Sequence, residues 1–138
     1  MGIKNYTIVT LGSHSALQIL KGAKDEGFKT AVVATPSRIT LYKSYGNFID
    51  EVLEIKSWKD FPKLEKELLK RNAVIIPHGS FVAYLGLDQN KNMKALYFGN
   101  KKVLDWEENR KMQRHWMEES RVKVPHHFKR GDKIDRPV

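Results

Sequence analysis

Short apolar runs alternate along most of the chain with stretches in which apolar positions recur every three or four residues. Tyr6 to Leu11 is apolar, rich in β-branched residues and closed by Gly12, which predicts a first strand. A helix is expected next, with Ser13 as its cap, because Ala16, Leu17, Leu20 and Ala23 fall on one stripe that ends near Gly27. Thr30 to Ala34 predicts a second strand. The three elements make a βαβ unit, which favours a parallel sheet with right-handed crossovers.

Pro36 to Asn47 has no clear period and reads as an ordered loop or a short irregular helix, and its Arg38, Tyr42, Lys43 and Tyr45 offer basic and aromatic tips to a crevice. A strand is expected at Glu51 to Ile55. Pro62 suits a first helical turn, and Phe61, Leu64, Leu68 and Leu69 share one face of the helix that follows. Ala73 to Pro77 predicts a buried strand leading into His78-Gly79-Ser80. Phe81, Val82, Tyr84 and Leu85 then suggest a short apolar helix, 88–94 a polar turn region, and Ala95 to Phe98 a short strand broken by Gly99-Asn100. Trp106 to Ser120 reads as one charged helix of weak period. Beyond Val124-Pro125 the chain is polar and turn-rich, and a further strand is expected to begin at Pro137-Val138. The alternation predicts an α/β fold with a doubly wound, mainly parallel, Rossmann-like sheet over residues 1–105 and a linking helix in 106–138.

The chain has 138 residues, enough for one core. It has no cysteine, which excludes disulfides, thiolate zinc sites and a cysteine nucleophile. A net charge of +9 raises the question of nucleic acid. The excess is spread over the whole chain, with no basic helix face interleaved with aromatics, so no nucleic-acid partner is expected. No window is apolar enough for a membrane span, and the amino terminus carries no signal-peptide pattern, so a soluble, cytoplasmic protein without a membrane partner is expected.

Candidate chemistry lies in Ser13-His14-Ser15 and His78-Gly79-Ser80, each placed where a predicted strand meets a predicted helix. Parallel strands open at their carboxyl ends onto a crevice, where the next helix offers unpaired N–H groups with partial positive charge. Two such loops that converge would make a site for an anionic small molecule, with His14, Ser80, Ser13 and Ser15 as binding residues. Other chemistries fit less well. The nucleophile elbow of a serine hydrolase is absent, no carboxylate stands placed to orient either histidine, and neither histidine has metal-ligand spacing to another ligand. His126 and His127 are expected on the surface. Neither a phosphate-binding Gly-x-x-x-x-Gly-Lys-Ser/Thr loop nor a complete Gly-x-Gly-x-x-Gly motif is present.

The string Leu11-Gly12-Ser13-His14-Ser15-Ala16-Leu17-Gln18-Ile19-Leu20-Lys21-Gly22-Ala23-Lys24, followed in order by Pro77-His78-Gly79-Ser80-Phe81-Val82-Ala83-Tyr84 and by Phe98-Gly99-Asn100-Lys101-Lys102-Val103-Leu104-Asp105-Trp106-Glu107, closely resembles the amino-terminal part of a known family. These are the archaeal formate-dependent synthetases of formylaminoimidazole carboxamide ribotide, ATP-grasp ligases of purine biosynthesis. The resemblance implies a pre-ATP-grasp domain that helps to bind aminoimidazole carboxamide ribotide in the late steps of inosine monophosphate synthesis. It also implies that formate is activated by ATP, with Mg²⁺ or Mn²⁺, as formyl phosphate and captured by the substrate's amine. His14 and Ser80 fall on the family's ribotide-binding positions; Ser13 and Ser15 rest on local chemistry alone.

The chain departs from the family in two places. The lysines, glycine-rich loop and metal-binding carboxylates of the ATP-grasp region do not occur before Val138, and Met117-Glu118-Glu119-Ser120-Arg121-Val122 lacks the glycine usual before the valine-proline step. The expectation is therefore a substrate-binding domain, inactive in ligation alone, from a truncated or a stand-alone relative, which associates with itself or with an ATP-grasp domain. The alternative is a non-catalytic nucleotide- or phosphosugar-binding module.

Overall fold

The computed structural model describes residues 5–135, which divide into two compact units, the first ending at Lys101 and the second beginning at Lys102. The strand expected to begin at Pro137-Val138 lies outside the described residues.

The first unit is built on five strands, β1 (Thr7–Leu11), β2 (Lys29–Ala34), β3 (Glu51–Glu54), β4 (Ala73–Ile75) and β5 (Leu96–Tyr97), in the spatial order β3-β2-β1-β4-β5. All four pairings are parallel. The α/β expectation holds. Each of the first two strands is buried on both faces because alternate residues serve opposite layers. Val9, Leu11, Ala31 and Val33 join a core with Leu68, Phe81 and Leu85, whereas Val32 and Ala34 face Ala16, Leu20 and Tyr42 on the other side. The helices α1 (Ala16–Asp25) and α2 (Pro36–Lys43) supply the second of these cores, and α3 (Glu65–Lys70) and α4 (Ser80–Asn92) supply the first.

Two buried polar groups hold strand ends in place. The Thr10 hydroxyl donates to the Ile76 carbonyl at 2.8 Å, and the Thr30 hydroxyl to that of Phe48 at 2.7 Å. Both satisfy oxygens that burial would otherwise leave unpaired. At the same end of β2, the Asp50 carboxylate accepts from the Thr30 N–H at 2.9 Å and from Lys24 at 2.6 Å. Burial pushes the Asp50 carboxyl upward, but the Lys24 ammonium and the Thr30 donors outweigh it and hold the group below its ordinary value.

Several local expectations change. The segment after β2 is a regular helix, entered by Pro36 at its first position, where the missing N–H costs nothing. Tyr42 is buried beneath the crevice rather than exposed at it. Pro62 lies inside a 3-10 helix, Trp58–Leu64, capped reciprocally by Ser57 and Asp60, and α3 begins only at Glu65. The polar stretch 88–94 is largely helical. The chain breaks at Gly86 (φ 73°, ψ 167°) and resumes because the buried Asn90 amide donates to the Phe81 and Gly86 carbonyls at 3.1 and 2.8 Å.

In the second unit the single helix expected over Trp106 to Ser120 is two, α5 (Val103–Glu108) and α6 (Arg110–Glu119). Asn109 divides them. Its extended backbone ends α5, and its side-chain oxygen accepts from the Lys111 and Met112 N–H groups at 3.1 and 3.2 Å, capping α6. At the far end, the Val122 N–H reaches the Met117 carbonyl at 3.0 Å and Arg121 takes the left-handed conformation (φ 56°) that glycine adopts without strain.

Gly12 is the most constrained glycine of the sheet edge. A Cβ there would lie 2.6 Å from Tyr42 Cε2 and 3.1 Å from the Val33 carbonyl oxygen. Gly12→Ala is therefore expected to cost about 1–3 kcal/mol, as overpacking does in a filled core. Urea unfolding of the variant beside the parent chain measures it.

Candidate functional site

β1 and β4 are adjacent and parallel, yet β1 passes through β2 and β3 on one side before the chain returns to build β4 and β5 on the other. At such a reversal of strand order the two outgoing connections diverge to opposite faces, leaving a crevice at the strands' carboxyl ends. The connections here are 12–15 and 76–79. The two loops meet.

His78 joins them. Its Nε2–H donates to the Leu11 carbonyl at 3.0 Å, while its Nδ1 accepts the Ser80 N–H at 3.2 Å. The two bonds together require neutral imidazole with its proton on Nε2. Phe81 lies edge-on to the ring, with centroids 5.1 Å apart. Burial is the main influence lowering the His78 pKa below its ordinary value; the Leu11 carbonyl opposes the shift and the neighbouring His14 adds to it.

Ser13 and Ser80 are both buried, at 7% and 9% exposure, and border this imidazole. The Ser13 hydroxyl lies 3.4 Å from Nδ1 and 3.5 Å from Nε2 of His78, too long and too evenly placed for a strong bond to either. Ser13 is not the cap of α1. That position belongs to Ser15, whose side chain makes no capping bond and whose backbone is already helical. Ser13 is displaced inward because its carbonyl accepts both the Ala16 N–H and the buried Tyr42 hydroxyl, each at 3.1 Å. Burial raises the pKa of that phenol, so it remains a donor. His14 is exposed at the loop's tip. Ser80 occupies the first position of α4.

One further group closes the crevice from the β2 side. The Arg38 guanidinium, on α2, donates to the Gly12 carbonyl and, at 3.1 Å, to the Tyr84 hydroxyl. Tyr84 stacks in turn on Trp58, with centroids 4.7 Å apart and planes 11° from parallel. Tyr84 stands one helical turn beyond Ser80, on the same face of α4. Sequence reasoning left Arg38 among several basic and aromatic tips, because a segment without periodicity does not say which side chain turns toward the sheet edge.

Among the described residues no three histidines, cysteines or carboxylates gather as they would around a metal ion. No helix among them is long and apolar enough to cross a membrane.

An open, all-parallel sheet whose loops converge at the reversal of strand order defines the class of doubly wound α/β domains. Within this class the chain belongs to the family described as "Protein of unknown function (DUF1246)", whose pattern matches residues 8–128. It is 50% identical over 131 residues to the 5-formaminoimidazole-4-carboxamide-1-(beta)-D-ribofuranosyl 5'-monophosphate synthetase of Pyrococcus abyssi, covering 95% of this chain and 37% of that protein. A synthetase of the same name from Methanococcus aeolicus is 44% identical over 135 residues, covering 96% and 37%. The match is to the amino-terminal part of these proteins.

Among solved structures, the IMP biosynthesis protein PurP from Thermococcus kodakaraensis superimposes with a TM-score of 0.76 at 33% identity, over 91% of this chain and 40% of that one. The biotin carboxylase domain of a thermophilic 2-oxoglutarate carboxylase gives 0.64 at 16% identity, over 83% and 28%, a likeness of fold alone. The chain thus spans little more than a third of the length of the curated relatives it matches, 37% in both.

The His78 bonds set a pH dependence. A histidine whose pKa is lowered by folding binds its proton more readily in the unfolded chain, so stability rises with pH between the folded value and the unfolded one. Stability is expected to be complete above about pH 6.5 and to decline as the pH falls below it. Denaturation midpoints between pH 5 and 8 measure this, and His78→Asn is expected to flatten that part of the profile.

Proposed function

We propose that this chain is the ribotide-binding domain of an ATP- and formate-dependent ligase that converts aminoimidazole carboxamide ribotide to its formyl derivative in inosine monophosphate synthesis. The observation that carries the proposal is the meeting of the 12–15 and 76–79 loops around His78, which gathers Ser13, His14 and Ser80 at one crevice. Relatives up to 50% identical bear the name of that synthetase, which supports the choice of ligand.

In this reading His14 and Ser80 bind the ribotide directly. His14 stands exposed, free to reach a bound molecule, and the Ser80 hydroxyl lies at the start of α4. Ser13 shapes the floor, and Ser15 presents its hydroxyl at the start of α1. His78 orients rather than reacts, since both ring nitrogens are engaged by the protein's own backbone. ATP and the divalent ion belong to the part of the ligase not represented by this chain, and the formyl transfer takes place where that part meets the crevice. The protein works in the cytoplasm, where the nucleotide precursors are made.

Isothermal calorimetry with aminoimidazole carboxamide ribotide tests the proposal. The chain is expected to bind it, and a His14→Ala, Ser80→Ala double variant to bind at least about tenfold more weakly, as loss of hydrogen bonds to a charged or polar ligand implies. Equal affinity in parent and variant refutes the site. Binding of unrelated phosphosugars as tight as that of the ribotide favours a general phosphosugar module over the ligase domain.

A further inference from the structure

We infer that Arg38 is the receptor for the ligand's 5'-monophosphate. The inference rests on the ribotide reading above and adds the residue that distinguishes a ribotide from the corresponding riboside.

Arg38 spans the crevice mouth between its two walls. It reaches the Gly12 carbonyl in the loop after β1 and the Tyr84 hydroxyl on α4, one turn beyond Ser80. Both partners are neutral oxygens, and among the described residues no carboxylate lies within ion-pairing distance of this guanidinium. That is an unusual position for a half-buried cation. Withdrawal from water is costly for a charge without a counterion, and the guanidinium's five N–H groups outnumber the two oxygens it holds. A ligand oxyanion would supply what the protein does not.

The chemistry of the ligand selects the phosphate. In aminoimidazole carboxamide ribotide the base and the ribose are neutral, and the monophosphate carries all of the negative charge. The Ser13 and Ser80 hydroxyls and the neutral His78 at the crevice carry no charge of their own. Arg38 holds two neutral oxygens and brings to them a positive charge that an anion would neutralise. Its planar fork matches a phosphate through two parallel N–H···O bonds, which are stronger than those to neutral oxygens.

The guanidinium is also held ready. Its carbon lies 5.3 Å from the centre of the Tyr84 ring, which is backed by the stacked Trp58. This aromatic shelf fixes the approach of the fork and limits the freedom lost when a ligand arrives. Because Tyr84 and Ser80 share one face of α4, a molecule touching the Ser80 hydroxyl has its next contact along that helix beside Arg38.

The test compares two ligands and three proteins by calorimetry: aminoimidazole carboxamide ribotide and its riboside, against the parent chain, Arg38→Met and Arg38→Lys. The parent is expected to prefer the ribotide. Arg38→Met is expected to lower ribotide affinity by about ten- to a hundredfold, as for loss of hydrogen bonds to a charged group, and to leave riboside affinity within about twofold. Arg38→Lys, which keeps the charge but loses the fork, is expected to fall between. If Arg38→Met does not fold, Arg38→Lys decides alone: weaker ribotide binding with riboside binding unchanged supports the assignment. Equal losses for both ligands in either variant, or none for either, overturn it while leaving the ribotide reading intact. A parent chain that binds neither compound overturns that reading and this inference together.

Discussion

The parallel pairing of β1 with β4 is the constraint on which the crevice depends. Strand order reverses there, so the loop leaving β1 and the loop leaving β4 belong to connections that pass to opposite faces of the sheet. The buried Thr10 hydroxyl secures the junction just where the strands end, by bonding the Ile76 carbonyl. His78 then carries the junction one step further. An apolar side chain at 78 would fill the same space but leave the Leu11 carbonyl and the Ser80 N–H without these partners.

The second constraint is steric. Gly12 lets the Tyr42 ring lie against the backbone of the first loop, and the Tyr42 hydroxyl uses that proximity to bind the Ser13 carbonyl. One absent methyl group thus connects α2 to the floor of the crevice. Arg38, one turn earlier on the same helix, takes the Gly12 carbonyl. The position of α2 is therefore set at two neighbouring carbonyls of one loop, although its own sequence has no period that would have announced its orientation.

Much of the fold was legible because strands buried on both faces are continuous apolar runs, and Tyr6 to Leu11, Thr30 to Ala34 and Ala73 to Pro77 have no competing reading. What was illegible depended on single polar side chains acting at a distance. Asn109 divides a helix by capping the next one, and Asn90 restores a helix by bonding the carbonyls of Phe81 and of Gly86, the glycine at the break. Neither bond has a periodic signature. Ser13 shows the same limit at the crevice: a serine before a helical stripe predicts a cap, and only the Tyr42 contact, between residues remote in sequence, explains why it turns inward. The convergence of the two loops stood as a condition in the sequence, because strand order lies in pairings between remote segments, and the joining of His78 to Leu11 depends on ring orientation, which sequence does not encode locally.

The register of β1 has a consequence for how the molecule assembles. Thr7 pairs with Lys29 on one side and with Ala73 on the other, so the second ladder closes a chain segment about three times longer than the first. Long closures carry the larger entropic cost and slow the step that makes them. The first three strands can therefore zip together before any hollow exists, and the crevice arises only when β4 docks. A small molecule held there acts as a latch on the last closure, raising the cost of peeling β4 away while leaving the β1-β2-β3 half untouched.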